Sequence, residues 1–134
     1  MSRKVAREYA YKLIFEYSFS RVPNLHTYTL FASADVDDND VKYLEKVYYG
    51  VIDKYDEILG IIAQYADGFA LDRIYKTDLS ALVLAIYEMK YMVDIPASVS
   101  ISEAVILVKK YSTEKSNSFV NGILSSVYKE ITAQ

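Results

Sequence analysis

Two sets of residues in this chain combine types that could hold a polyanion. The first is Arg3, Lys4, Arg7 and Tyr11. At roughly 100° per residue these fall within one arc of a helix. Cations on such an arc hold phosphates, and an aromatic among them can stack a base. The competing reading is three solvated charges on a first helical turn. Basic residues at a helix N-terminus oppose the macrodipole, a small cost that favours a use for them. The second set is Ser118, Phe119, Asn121 and Gly122. They open a strongly amphipathic helix, where backbone N–H groups favour phosphate. Phe119 lies at the edge of the apolar stripe, about 80° from its centre on a helical wheel, so core packing and base stacking both remain open. Gly122 costs that helix about 1 kcal/mol against alanine, which implies the close approach of another helix or of an RNA backbone.

No catalytic chemistry is legible. There is no cysteine and one histidine, His26, so cysteine-based zinc sites, thiolate nucleophiles and histidine-rich metal sites are excluded. The glycines at 50, 60, 68 and 122 form no phosphate-cradling loop. Asp35, Asp37, Asp38 and Asp40 begin like a calcium loop. The loop lacks glycine at its sixth position, and Glu45 and Glu57 miss the closing position. The run reads as a solvated loop with a helix cap at Asp38 or Asn39. Glu88 stands in an apolar helix, which predicts a structural carboxylate satisfied by Arg73 or a helix end. No enzyme, metal or cofactor is expected.

The elements that must position these residues follow from hydrophobic periodicity. A first helix over about 4–19 carries the core stripe Ala6, Tyr9, Ala10, Leu13 and Tyr17. A short helix covers 25–33, and a long helix or kinked pair runs from about 40 to 66. Gly50 and Gly60 permit close packing or a bend there, and Asp67-Gly68 ends it. Residues 79–93 are apolar nearly all round, as in a helix buried on most sides; about 15 residues are too few to span a bilayer. Asp94-Ile95-Pro96 stops that helix. A fifth helix opens at Ser100, with Glu103 at capping-box spacing. A sixth follows the polar break STEKSNS. The fold class is all-α. The N-terminus lacks a secretion signal, so the expected location is cytoplasmic, away from membranes. A net charge of −3 argues mildly against a general nucleic-acid binder, although residues 1–21 form a basic end.

Three stretches carry a family resemblance that covers nearly the whole chain. Ser102-Glu103-Ala104, an apolar run ending in Lys109-Lys110, a polar loop, and Phe119-Val120-Asn121-Gly122-Ile123-Leu124 resemble the signature of the NusB family of bacterial transcription antitermination factors. Phe69, Leu71-Asp72-Arg73-Ile74, Asp78 and Tyr87-Glu88 resemble a second family pattern. Arg3-Lys4-Val5-Ala6-Arg7-Glu8 resembles its basic stretch, with Val5 where a third basic residue is common. The resemblance implies a single domain (1–134) of two three-helix bundles, about 1–76 and 77–134. It implies an RNA-binding, non-enzymatic factor. With NusE, the small-subunit ribosomal protein, such a factor binds boxA-type single-stranded RNA of nascent rRNA transcripts within the RNA polymerase elongation complex. On this reading Arg3, Lys4, Arg7, Ser118, Phe119, Asn121 and Gly122 form one RNA face. By position in the pattern, Tyr65, Asp72, Arg73 and Asp78 are candidates for NusE contact; Asp72 and Asp78 equally suit helix starts. A protein–protein adaptor with weak or lost RNA binding is the alternative. A homodimer is possible, with Tyr48, Tyr49 and Tyr91 suited to an interface or to the core.

Overall fold

The computed structural model describes residues 3–33, 37–68 and 70–133; the side chain of Ala133 is not described. Asp35 and Phe69 therefore lie outside the described residues. Six α-helices and one 3-10 turn make up the described chain: α1 (Arg3–Ser20), α2 (Leu25–Ala32), α3 (Asp38–Tyr65), the 3-10 turn at Leu71–Arg73, α4 (Lys76–Tyr91), α5 (Ala97–Tyr111) and α6 (Ser116–Ala133). Three helices precede the turn and three follow it. α4 joins the two groups, packing against α1 and α3 on one side and α5 and α6 on the other.

This central position explains the composition of α4. Every residue from Asp78 to Met89 is buried, so no face of the helix is left for solvent. The polar members of that run, Asp78, Ser80 and Glu88, are also at most 4% exposed. Each must then find partners inside the protein, because an unpaired buried polar group is costly.

Helix boundaries differ from the sequence expectation where caps decide them. α3 starts at Asp38, about two residues earlier than expected, because Asp37 rather than Asp38 or Asn39 caps it: its side chain accepts the Asp40 N–H at 2.9 Å. α3 is continuous through Gly50 and Gly60. Gly68 takes φ +78° just beyond it, the left-handed conformation that favours glycine after a helix. α5 does not open at Ser100 with a capping box. It opens directly after Pro96, since proline's fixed φ suits a helix start. Ser100 then falls a turn inside the helix, 2% exposed. α6 begins at Ser116, so Ser118 and Phe119 sit within its first turn.

The largest departure is in α1. The stripe Ala6, Ala10, Leu13 and Tyr17 is buried as expected, but Arg7, Tyr11, Ile14 and Ser18 form a second buried row. Two rows are covered because α3 and α4 pack on different sides of α1. Tyr9 is half-buried and stacks on Phe31 of α2, with centroids 4.5 Å apart. An open apolar groove of about 980 Å³ lies between α1 and α2.

Candidate nucleic-acid interface

Of the expected RNA-facing set on α1, Lys4 is exposed and Arg3 half-exposed. Arg7 is 5% exposed and its guanidinium grips Glu88 from two nitrogens: Nε to Oε2 at 2.8 Å and Nη2 to Oε1 at 3.3 Å. Burial alone would lower the arginine pKa; the hydrogen bond to Glu88 and the nearby negative charge outweigh it and raise it. The Tyr43 hydroxyl donates to Glu88 Oε2 and the Ser100 hydroxyl to Oε1 at 2.7 Å. Glu88 thus ties α1, α3 and α5 to α4. The partner is Arg7, not Arg73 or a helix end. Arg3 is also engaged, pairing with Asp40 at 3.2 Å and lying 4.4 Å over the Tyr43 ring. Tyr11 is not an exposed stacking ring: it is 2% exposed, its hydroxyl donates to the Thr77 carbonyl at 3.0 Å, and its ring lies 5.5 Å from that of Tyr111.

The α6 set divides similarly. Ser118, Asn121 and Gly122 are exposed, and Phe119 is half-buried. Phe119 packs against the hydrophobic core and also lines a cavity of about 260 Å³ with Arg73, Ile74, Tyr75, Asp78, Thr113, Lys115 and Ser116. It is neither wholly core nor wholly surface. A Cβ built on Gly122 meets nothing within 4 Å, so no helix of this chain requires that glycine. Gly122→Ala is expected to raise stability by up to about 1 kcal/mol through helix propensity, read as a higher urea midpoint; a lower midpoint would reveal a packing constraint that the open surface does not contain.

Arg7 and Asp78 locate the two sets relative to each other. Arg7 meets α4 at Glu88, near its C-terminal end, whereas Ser116 at the start of α6 meets α4 at Asp78, in its first turn. Ten residues of helix separate those positions, or about 15 Å at 1.5 Å per residue. The two sets therefore meet α4 towards opposite ends. Residues missed by the sequence reading bridge them. Lys4 shares a small cavity with Lys110 and Glu8, and Lys110 pairs with Glu8 at 2.7 Å. The ring of Tyr111 lies under Lys110 and Lys12, at 5.3 and 5.8 Å. Tyr11, Lys12, Phe15, Thr77 and Tyr111 surround a further hollow. Phe15, Phe19, Tyr75, Lys76 and Thr113 line the next, with Lys76 5.9 Å from the Phe19 ring. The path then reaches Lys115 and Phe119. Cations and aromatic rings alternate along it, the arrangement that tracks a single strand while its bases stack. The available signal was Phe15 and Phe19, two aromatics four residues apart and off the core stripe of α1.

The residues expected at a NusE contact differ in exposure. Asp72 and Arg73 are exposed in the 3-10 turn. Tyr65 is half-buried, its hydroxyl bonded to Glu130. Asp78 is 4% exposed and accepts the Ser112 and Ser116 hydroxyls at 2.6 and 2.9 Å, at the edge of the cavity that Phe119 lines. Of the tyrosines considered for an interface, Tyr48 is core and accepts the Asn24 N–H, Tyr91 is bonded to Glu57, and Tyr49 is 43% exposed. Among the described residues no His, Asp and Glu cluster is arranged to hold a metal ion, and no helix is long and apolar enough to cross a membrane.

Comparison with known proteins agrees with this architecture. The model of the NusB family matches residues 4–129. The transcription antitermination protein NusB of Acetivibrio thermocellus is 45% identical over 132 residues, covering 96% of this chain and 90% of its own. That of Thermoanaerobacter sp. strain X514 is 38% identical over 130 residues, covering 97% and 92%. Among solved structures, T. maritima NusB superposes with a TM-score of 0.90 at 30% identity, covering 97% of this chain and 92% of its own. A structure of antitermination factors NusB and NusE in complex with double-stranded RNA gives 0.84 at 25% identity, covering 96% of each chain. With the match running nearly end to end, in sequence and in fold, the chain belongs to the NusB family.

Proposed function

We propose that this chain is a non-enzymatic, cytoplasmic transcription antitermination factor. It binds boxA-type single-stranded RNA of nascent rRNA transcripts together with NusE and acts within the RNA polymerase elongation complex. The observation that carries the placement of RNA on this chain is the alternation of Lys4, Lys110, Tyr111, Lys12, Phe15, Tyr75, Lys115 and Phe119 along linked hollows. With Arg7 buried against Glu88 and Arg3 paired with Asp40, lysines supply the phosphate contacts. Lysine contacts spread along a groove give a modest, salt-dependent affinity, which a partner that enlarges the RNA surface raises without new chemistry. Base choice comes from unstacked bases read by ring stacking and edge hydrogen bonds. NusE is assigned to the exposed 3-10 turn around Asp72, beside the distal end of this path. The two bundles, divided near residue 76, then serve one binding surface and not two independent ones.

The test is RNA affinity with and without NusE at two salt concentrations. Lys12→Ala is expected to weaken binding of every single-stranded RNA to a similar degree and to lower the salt slope by about 0.7, the loss of one phosphate contact. An unchanged slope with Lys12 and Lys110 both replaced would place RNA elsewhere. Binding to NusE with no measurable RNA affinity would favour the adaptor reading.

A further inference from the structure

The turn between α5 and α6 is suspended from one carboxylate. Asp78, in the first turn of α4, accepts Ser112 Oγ on Oδ1 at 2.6 Å and Ser116 Oγ on Oδ2 at 2.9 Å. Around it the Thr77 and Ser112 hydroxyls lie 2.9 Å apart, those of Ser112 and Ser116 3.0 Å, and those of Thr113 and Ser116 2.9 Å. The Thr113 N–H donates to Ser116 Oγ at 3.3 Å. The first turn of α4 is held in turn to α1, where the Tyr11 hydroxyl donates to the Thr77 carbonyl. Four hydroxyls and one carboxylate therefore fix the segment 112–116, and that segment fixes Lys115 and, one helical turn on, Phe119.

Asp78 lies between the two walls of the cavity of about 260 Å³: Arg73, Ile74 and Tyr75 lead into α4 on one side, and Thr113, Lys115, Ser116 and Phe119 form the other. The separation of Tyr75 from Phe119 is thus set through the same carboxylate that holds Ser112 and Ser116. The other groups bonded within this cluster are hydroxyls, which carry no charge; a charged acceptor makes the stronger bonds.

We propose that Asp78 is a positioning residue for RNA recognition: through Ser112 and Ser116 it sets the first turn of α6 so that Phe119 meets an unstacked base, without touching the RNA itself. This rests on the RNA path proposed above. Asp78 thereby acts on the nucleic-acid side of the molecule and not as a NusE contact. Its effect falls on stacking and on Lys115 within the turn, and spares Lys4, Lys12 and Lys110, which lie on α1 and α5 outside the hydroxyl cluster.

A double-variant cycle tests it, with fluorescence titration of a short boxA-type RNA and thermal melting of each protein. In the wild-type background Phe119→Ala is expected to lower affinity on the order of tenfold to a hundredfold. Asp78→Ala is expected to do the same, with a salt slope lowered by no more than the one contact from Lys115, about 0.7. In the double variant the losses should not multiply, because a displaced ring is already lost to stacking. Asp78→Asn, which keeps one carbonyl acceptor, should recover part of the affinity. Lys12→Ala should multiply with either substitution. If Asp78→Ala melts below the assay temperature, Ser116→Ala replaces it in the same cycle. Losses that multiply fully between positions 78 and 119, or a salt slope that falls in Asp78→Ala by more than one contact, would overturn the proposal. Full affinity in both Phe119→Ala and Lys12→Ala would instead remove the RNA path on which it rests.

Discussion

Replacing Arg7 by alanine is expected to cost about 3–5 kcal/mol of folding stability, the usual consequence of removing one partner of a buried ion pair. The Glu88 side chain is 1% exposed and that of Arg7 6%. Without the guanidinium, the carboxylate keeps only the Tyr43 and Ser100 hydroxyls. Small domains hold about 5–15 kcal/mol in total, so the variant should sit close to unfolding at physiological temperature. Arg7→Lys should recover little, because an ammonium lacks the planar fork that meets both carboxylate oxygens. Glu88→Gln should cost stability as well, by leaving a buried guanidinium facing a neutral amide. Replacing both residues with apolar ones of similar size should restore much of the loss, because neither charge then remains buried. Urea unfolding followed by circular dichroism measures all four. An Arg7→Ala protein of wild-type stability, with weakened RNA binding and a reduced salt slope, would show that Arg7 is a phosphate contact after all.

This pair marks where sequence reasoning stopped. The helices were legible because each has an apolar stripe at helical spacing, and α4 because its polar residues are few and isolated. The pattern shows that a helix has a buried face; it does not show how many neighbours cover it. With α3 and α4 both against α1, Arg7 and Tyr11 lie in the interior and Arg3 is drawn to Asp40. The partner of Glu88 was misassigned for the same reason: Arg73 is near in sequence, but Arg7 lies 81 residues away and across the bundle. Ser100 looked like a cap because a serine three residues before a glutamate is the local signature, whereas Pro96 had already started the helix and left the serine free to bond Glu88. The RNA path escaped notice because it belongs to no single element. Lys4, Lys12, Lys110 and Lys115 lie on two helices and a turn, and only packing sets them in a row. The motif Phe119–Leu124 was legible as a motif, and its glycine as an anomaly; that Gly122 faces open space required the fold.

Gly50 poses the opposite case, and its replacement by alanine should have a large effect whose sign depends on one other residue. A Cβ at position 50 would lie 2.0 Å from Tyr87 Oη, 2.3 Å from Cζ and 2.6 Å from Cε1. The tip of the Tyr87 ring rests directly on the backbone of α3. Tyr87 is 5% exposed and packs against Tyr91 at 5.3 Å between centroids, so the ring cannot move aside without disturbing its own neighbour. In an open helix interior, Gly→Ala gains about 1 kcal/mol. Here overpacking, typically about 1–3 kcal/mol, should exceed that gain, and Gly50→Ala should lower stability. Tyr87→Ala alone should lose about 3–5 kcal/mol as a buried aromatic, and it also removes every atom in the clash. In that background the same Gly50→Ala change should become stabilising, by up to about 1 kcal/mol, because only helix propensity remains. The coupling between positions 50 and 87 is therefore expected to exceed about 1 kcal/mol, well above the additivity found for residues that do not touch. Chemical denaturation of the four proteins of the cycle gives the number. A Gly50→Ala protein more stable than wild type with Tyr87 in place would mean that the α3–α4 contact is looser than the ring position requires.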